Sequence, residues 1–226
     1  MLNFLALDRA DLQFPAKELM RRLSAPREID EARLKRAVRY VLGVPRLALR
    51  IPWHAGSSEV ITFVDSNFAG CPTTRKSTTG GAILWCGVCV KSWSRTQPTI
   101  ALSSGEAELA AVVAGVAEGL GMLSVLADFG LTAIRLTLKS DATAAIGITQ
   151  REGFGKVRHL ATADLWVQQR LRRREFSIAK VPGTENPADL GTKGFEREAI
   201  QRFLRTLGMA RLEGRSAAAP LLKARG

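Results

Sequence analysis

Only one tyrosine, two histidines and three cysteines occur among the 226 residues. An odd number of cysteines with no framework spacing argues against a disulfide-stapled secreted domain. It suits a reducing, intracellular compartment, cytoplasmic or nuclear. Cys86 and Cys89 form a lone C-x-x-C, CGVC, inside an apolar β-like run. With no second pair and no histidine cluster beside it, zinc or redox use is not expected. No apolar stretch is expected to approach the roughly 20 residues of a membrane span, so no membrane partner is expected either. The opening MLNFLALDRA lacks a basic n-region and a cleavage site, which reads against a secretory signal. No internal repeat is found.

What the chain does have is apolar content of 46%, charged content of 24% and a net charge of +12. It can bury a core, and its length fits one ordinary domain with an appendage. A pI near 10.5 points to a polyanionic partner, nucleic acid first, although a basic surface also serves solubility.

The pattern along the chain is mixed α/β. Residues 11–23 read as a helix with Asp11 as a possible cap and Pro15 near the first turn. A second helix spans about 28–42, with Leu34, Val38, Val41 and Leu42 on one face; Arg33, Lys35, Arg36 and Arg39 crowd the other side. HAGSSE, 54–59, reads as a linker. Residues 59–65 make a first strand, and GGAILWCG with VCVKSWS a hairpin turning near Gly87. A long helix follows over 104–128. IRLTLKSD is a fourth strand, ATAAIGITQ and 160–172 are helices, EFSIAKV is a fifth strand, and a final helix starts near Pro187. Residues 211–226 look like a loose basic tail.

Four carboxylates stand out against this layout. Asp65 ends the first strand, in ITFVDSNFAG, and Asp141 ends the fourth, in LKSD. If those strands are neighbours, the two side chains meet at the sheet edge where open α/β sheets place their sites. Asp141 could instead cap the helix that follows. In SSGEAEL, Ser103 and Glu106 fit a capping box, which accounts for Glu106 locally. Glu108 lies among Ala107, Leu109, Ala111 and Val112, where a charge is costly without a partner or metal. The helix is apolar nearly all round, so its periodicity does not choose between the two; Glu108 is taken as the functional one. Asp189, in NPADLGTK, is equally good helix-start chemistry behind Asn186 and Pro187. Carboxylates converging on one edge repel and need cations to stay ionised. An all-oxygen set suits Mg²⁺ or Mn²⁺, and two such ions about 4 Å apart suit phosphodiester hydrolysis.

VDSNFAGCPTTRKSTTGG, KSWSRTQPTIALSSGEAEL, SDATAAIGI and VPGTENPADLGTK, in that order, resemble the ribonuclease H domain of copia-type retrotransposon polyproteins, over roughly residues 59–195. Residues 8–53 resemble the segment that joins reverse transcriptase to that domain. The resemblance implies a ribonuclease H-like α/β fold, with a five-stranded mixed sheet flanked by helices and an N-terminal helical appendage. With the linker and basic tail read above, the chain is expected to divide into 1–56, 57–208 and a flexible tail, 209–226. The resemblance also implies an Asp-Glu-Asp-Asp site of Asp65, Glu108, Asp141 and Asp189, holding two Mg²⁺ or Mn²⁺ ions. The implied activity is endonucleolytic cleavage of the RNA strand of RNA–DNA hybrids, with an upstream reverse transcriptase as partner.

Candidate phosphate contacts are Arg75, Lys76, Lys91 and Arg95, the last two flanking Trp93; His159, in KVRHLA, is a further substrate contact or a structural histidine. The chain departs from the family pattern at Asn67-Phe68, where Asp-Trp is frequent, and VPGTEN carries no histidine, leaving Glu185 as the only titratable group there. Two other readings compete with the active enzyme. One is a retroelement remnant that binds nucleic acid, or serves as a structural subunit, without cleaving. The other is a DNA-directed integrase or resolvase of the same superfamily, which the SSGEAEL and NPADLGTK contexts disfavour.

Overall fold

The structure, a computed structural model, describes residues 2–53, 56–152 and 162–214. In chain order the elements are α1 (Leu2–Leu5), a 3₁₀ turn (Ala10–Leu12), α2 (Gln13–Met20), α3 (Glu28–Gly43), β1 (Leu47–Leu49), β2 (Glu59–Asn67), β3 (Thr78–Trp85) and β4 (Val88–Thr96). Then come α4 (Ser104–Asp128), β5 (Arg135–Ser140), α5 (Thr143–Gln150), α6 (Thr162–Arg172), β6 (Ser177–Lys180), 3₁₀ turns at Gly183–Glu185 and Pro187–Gly191, α7 (Arg197–Thr206) and β7 (Met209–Arg211).

Five strands form one mixed sheet in the order β4-β3-β2-β5-β6, the architecture expected from the sequence. β2, β3 and β4 are antiparallel, while β5 runs parallel to β2 and β6 parallel to β5. The β3–β4 turn places Cys86 and Gly87 at positive φ, 58° and 73°, as a two-residue hairpin with the strand twist demands. One face of the sheet packs Val64, Leu136 and Leu138 against Leu109, Val112 and Val116 of α4, with Ala145 and Val167 beyond. The other face packs Phe63, Ala82 and Leu84 against Leu190, Phe203 and Leu204.

α4 lies close on the sheet because it offers glycine there. A Cβ on Gly115 would come within 2.2 Å of Val64, and one on Gly119 within 2.7 Å of Leu136. This helix also corrects the reading of apolar length. By length and composition Ser104–Asp128 is long and apolar enough to cross a membrane, with a mean hydropathy of 2.0 over its most apolar window. The reason is that it is covered on two sides, by the sheet and by α5 and α6. Among its charged residues, Glu108 and Glu118 both engage other elements.

The N-terminal region departs from its sequence reading in two ways. Asp11 caps nothing: it is buried, paired with Arg9 at 2.6 Å, and accepts the Tyr40 hydroxyl at 2.6 Å. In α3 the buried residues are Asp30 and Ala37, with Tyr40 and Val41 packed alongside, whereas Leu34, Val38 and Leu42 are 45%, 47% and 73% exposed. The inner side can carry Asp30 because Arg27 and Arg33 neutralise it, while Arg33, Lys35, Arg36 and Arg39 themselves stay exposed. The appendage also grips the domain. Lys17 donates to Thr78 Oγ1, Arg21 to Cys71 Sγ and Arg22 to Thr73 Oγ1, at 2.7–2.8 Å.

β1 pairs with β7, Leu47 opposite Arg211 and Leu49 opposite Met209. This ladder therefore joins the segments placed at 1–56 and 209–226, and the first residues of the expected tail are held by pairing. Residues 215–226 lie outside the described residues, as do 54–55 of the expected linker. The expected helix at Pro187 is a 3₁₀ turn followed by the separate α7. Close contact with the sheet breaks it: a Cβ on Gly191 would meet the Trp93 carbonyl at 2.6 Å and the Gly80 Cα at 2.8 Å.

Candidate active site

β2 and β5 hold register only as far as Phe63 opposite Lys139, and past that point their carboxyl ends diverge. Asn186 bridges the opening. Its amide donates to the Val64 carbonyl at 2.9 Å and to Asp141 Oδ1 at 3.4 Å, while its own oxygen caps the 3₁₀ turn at Ala188. The four predicted carboxylates sit round this opening. Asp65 comes from the end of β2, Glu108 from the second turn of α4, Asp141 from the residue after β5, and Asp189 from the 3₁₀ turn.

The capping alternatives sort themselves. The residue at the N-cap of α5 is Ala142, and its amide bonds Ser140 Oγ at 3.2 Å, so Asp141 is not the cap. Ser103 caps α4 through the Glu106 amide at 3.2 Å, and Glu106 reaches back to the Leu102 amide at 2.8 Å. Glu106 is thus used at the helix start, one residue earlier than the capping-box pattern anticipates.

Glu108 points inward. Its Oε2 is buried with no hydrogen-bond partner. Burial first, then the charges of Asp65 and Asp141, push its carboxyl up to about 8, against a weaker pull from the Ser66 amide and Lys193. Asp189 is pushed up to about 7 by burial and then by its hydrogen bond to and repulsion from Asp65, opposed by Lys193. Asp65 is buried and accepts the Thr192 hydroxyl. Lys193 Nζ lies 2.9 Å from Asp189 Oδ1, close enough for an ion pair but without the angle of a hydrogen bond. Burial opposes the Lys193 ammonium, yet Asp189, Asp65 and Asp141 together hold it above the usual lysine range.

Among the described residues, no group of three or more His, Cys, Asp and Glu side chains is gathered as a finished metal cage. The donor chemistry nonetheless fits a hard divalent cation. All four groups are carboxylates, burial and then mutual repulsion raise two of them, and Glu108 keeps a buried oxygen without a partner.

The sequence reading did not single out Gln97, Thr192 and Lys193. Buried Gln97 Nε2 donates to Ser66 Oγ, Thr79 Oγ1 and the Ala107 carbonyl at 2.8–3.3 Å, which ties β2, β3 and the start of α4 together beneath Glu108. Asn67, where Asp is frequent in the family, donates to the Thr192 carbonyl at 3.2 Å and so anchors the same 3₁₀ region.

The candidate phosphate contacts divide. Arg75 is exposed at positive φ in the loop between β2 and β3, at the carboxylate end of the sheet, with Lys76 beside it. Lys91 and Arg95 have a partner of their own. Both pair with Glu118, at 2.5 and 2.6 Å, and Arg95 also lies over the Trp93 ring at 5.9 Å. Half of their charge is therefore matched by α4. His159 lies outside the described residues.

No family model matches the chain. It is 39% identical over 119 residues to the uncharacterised mitochondrial protein AtMg00810 of Arabidopsis thaliana, covering 52% of this chain and 48% of that one. It is 26% identical over 217 residues to the retrovirus-related Pol polyprotein from transposon RE1 of the same plant, covering 93% of this chain and 14% of that one. The chain thus spans half or less of these relatives. Among solved structures, LC11-RNase H1, isolated from compost, aligns over 66% of this chain and 99% of its own, at 17% identity and a TM-score of 0.43. By sequence the chain is similar to the retrovirus-related Pol polyproteins of transposons, which it matches along most of its own length but only a small part of theirs.

Proposed function

We propose that this domain hydrolyses the RNA strand of RNA–DNA hybrids, endonucleolytically, as one part of a copia-type polyprotein working with an upstream reverse transcriptase inside the cell. The observation that carries this reading is the meeting of Asp65, Glu108, Asp141 and Asp189 at the opening between β2 and β5. These four residues would hold two divalent cations, Mg²⁺ or Mn²⁺. When bound, the ions supply an activated water and neutralise the leaving oxygen.

The chain's own residues prepare that site. Thr192 and Asn186 orient Asp65 and Asp141 by hydrogen bonds, and Gln97 fixes the first turns of α4 relative to the strands. Arg75 and Lys76 lie at the same end of the sheet, placed to meet backbone phosphates. Choice of RNA over DNA rests on groove width and 2′-hydroxyl contacts, which only RNA offers.

The test is incubation of the protein with an end-labelled RNA–DNA hybrid and Mg²⁺, with EDTA and Asp65→Asn as controls. Cleavage confined to the RNA strand, lost in both controls, is the expected result. An Asp65→Asn protein as active as the parent overturns the site. A wild-type protein that binds hybrid tightly but never cuts it supports the non-cleaving remnant instead.

A further inference from the structure

Between α2, α3 and the segment after the 3₁₀ turn at Pro187–Gly191 lies a cavity of about 390 Å³, within the size range of small-ligand sites. Three aromatic rings line it: Phe14 of α2, Tyr40 of α3, and Phe195 of the loop before α7. Its rim is basic, and the acids around it are already engaged. Asp11 is held by Arg9 and Tyr40, Glu18 by Lys17 and Arg21, and Asp30 by both Arg27 and Arg33.

That accounting leaves an excess of positive charge. Arg36 has no carboxylate partner among the described residues, and Arg22 bonds only the neutral Thr73 hydroxyl. Arg27 and Arg33 share a single carboxylate. Flat rings inside and guanidinium groups outside are the complement of a molecule with an aromatic body and an anionic head. Rings stack on a base, and arginine forks bind phosphate oxygens. We infer that this cavity binds a nucleotide, with its base among Phe14, Tyr40 and Phe195 and its phosphate on Arg22 and Arg36. The inference does not depend on the carboxylates or on hydrolysis. Lys193, which pairs with Asp189, also lines the cavity, so the pocket opens beside the candidate active site. The same chemistry is offered by a free mononucleotide and by the unpaired end of a nucleic-acid strand.

Calorimetric titration of the full chain in EDTA tests this, using adenosine monophosphate, adenosine, inorganic phosphate and dodecanoate as separate probes. Saturable one-site binding of the monophosphate is expected, with adenosine and phosphate each at least about tenfold weaker, a difference of roughly 1.4 kcal/mol. Arg22→Gln and Arg36→Gln lie on the rim, and each should weaken the monophosphate about fivefold or more while adenosine is unaffected. The proposal is overturned if the monophosphate gives no saturable binding, if phosphate or dodecanoate binds as tightly, or if both rim variants bind like the parent. A short single-stranded oligonucleotide as competitor separates the sources. Displacement at lower concentration than free monophosphate assigns the site to a strand end, and weaker displacement assigns it to a free nucleotide. Because the measurement is made without divalent metal, an inactive carboxylate site would leave its outcome unchanged.

Discussion

Thr192 donates its hydroxyl to the carboxylate of Asp65, 127 positions earlier in the chain. That one bond joins the 3₁₀ turn carrying Asp189 to the strand end carrying Asp65. It also uses lone-pair capacity on Asp65 that water or a cation would otherwise take. Thr192→Val should leave the fold in place but free Asp65 to move. A fall in hybrid cleavage of about tenfold, equivalent to roughly 1.4 kcal/mol, is expected, with little change in hybrid affinity. Unchanged turnover would show that Thr192 has only a packing role.

The two glutamates of SSGEAEL should behave oppositely. Glu106→Gln retains an oxygen to accept the Leu102 amide and should keep activity and stability near the parent's. Glu108→Gln removes a carboxyl whose ionisation is costly where it is buried with no protein partner at Oε2. It should raise the melting temperature of the metal-free protein and abolish metal-dependent cleavage. Loss of cleavage in Glu106→Gln alone would exchange the roles.

Stability of the metal-free protein should fall as pH rises from about 4.5 to about 8. The folded state raises Glu108 to about 8 and Asp189 to about 7, so it holds more protons than the unfolded chain across that interval. The contribution from these groups is complete below their unfolded values, near 4.5 and 3.8, and is lost as each folded value is passed. Mg²⁺ should reverse the trend, because it binds the deprotonated forms and therefore stabilises more at pH 8 than at pH 6. Thermal melts over pH 5–9, with and without Mg²⁺, measure both slopes. A metal-free slope of the opposite sign, or one that survives in Glu108→Gln with Asp189→Asn, contradicts the assignment.

The N-terminal helices should act as part of the domain. Asp11 is buried between Arg9 and Tyr40, and Asp11→Ala would leave the Arg9 guanidinium without its carboxylate. A loss of about 3–5 kcal/mol is expected, readable by urea denaturation. Deletion of residues 1–55 removes this knot, the β1 partner of β7 and the three side chains that hold the 71–78 loop. The truncated protein should melt well below the parent. An equal melting temperature would show that the appendage packs without stabilising.

Where periodicity and turn chemistry agreed, the sequence was a sufficient guide. The alternation in IRLTLKSD and the Gly87 turn gave the strands, and Ser103 gave the start of α4. It failed where tertiary contacts reverse a local preference. Asp30 is buried and Leu34 exposed because one carboxylate shared by two arginines is cheaper to bury than the stripe suggests. The three-residue strands β1 and β7 are too short to announce themselves and exist only by pairing. Gln97 and Thr192 carry no periodic signal, since a polar residue in a loop looks alike whether it faces solvent or a carboxylate. One clue was readable and went unused. Gly115 and Gly119, four residues apart, mark the sheet-facing side of a helix that otherwise looks apolar all round, and Glu108 is two turns upstream of Gly115.

That glycine pair acts as a keyway for rotation. A slip of α4 by one residue would turn the helix by about 100°. It would swing Glu108 out of the opening and drive Val116 and Leu120 into the space that only glycine can share with Val64 and Leu136. The angular setting of a carboxylate at one end of the helix is therefore enforced roughly 10 Å away, by contacts with Val64 and Leu136. Gly115→Ala should accordingly disturb the site without touching it.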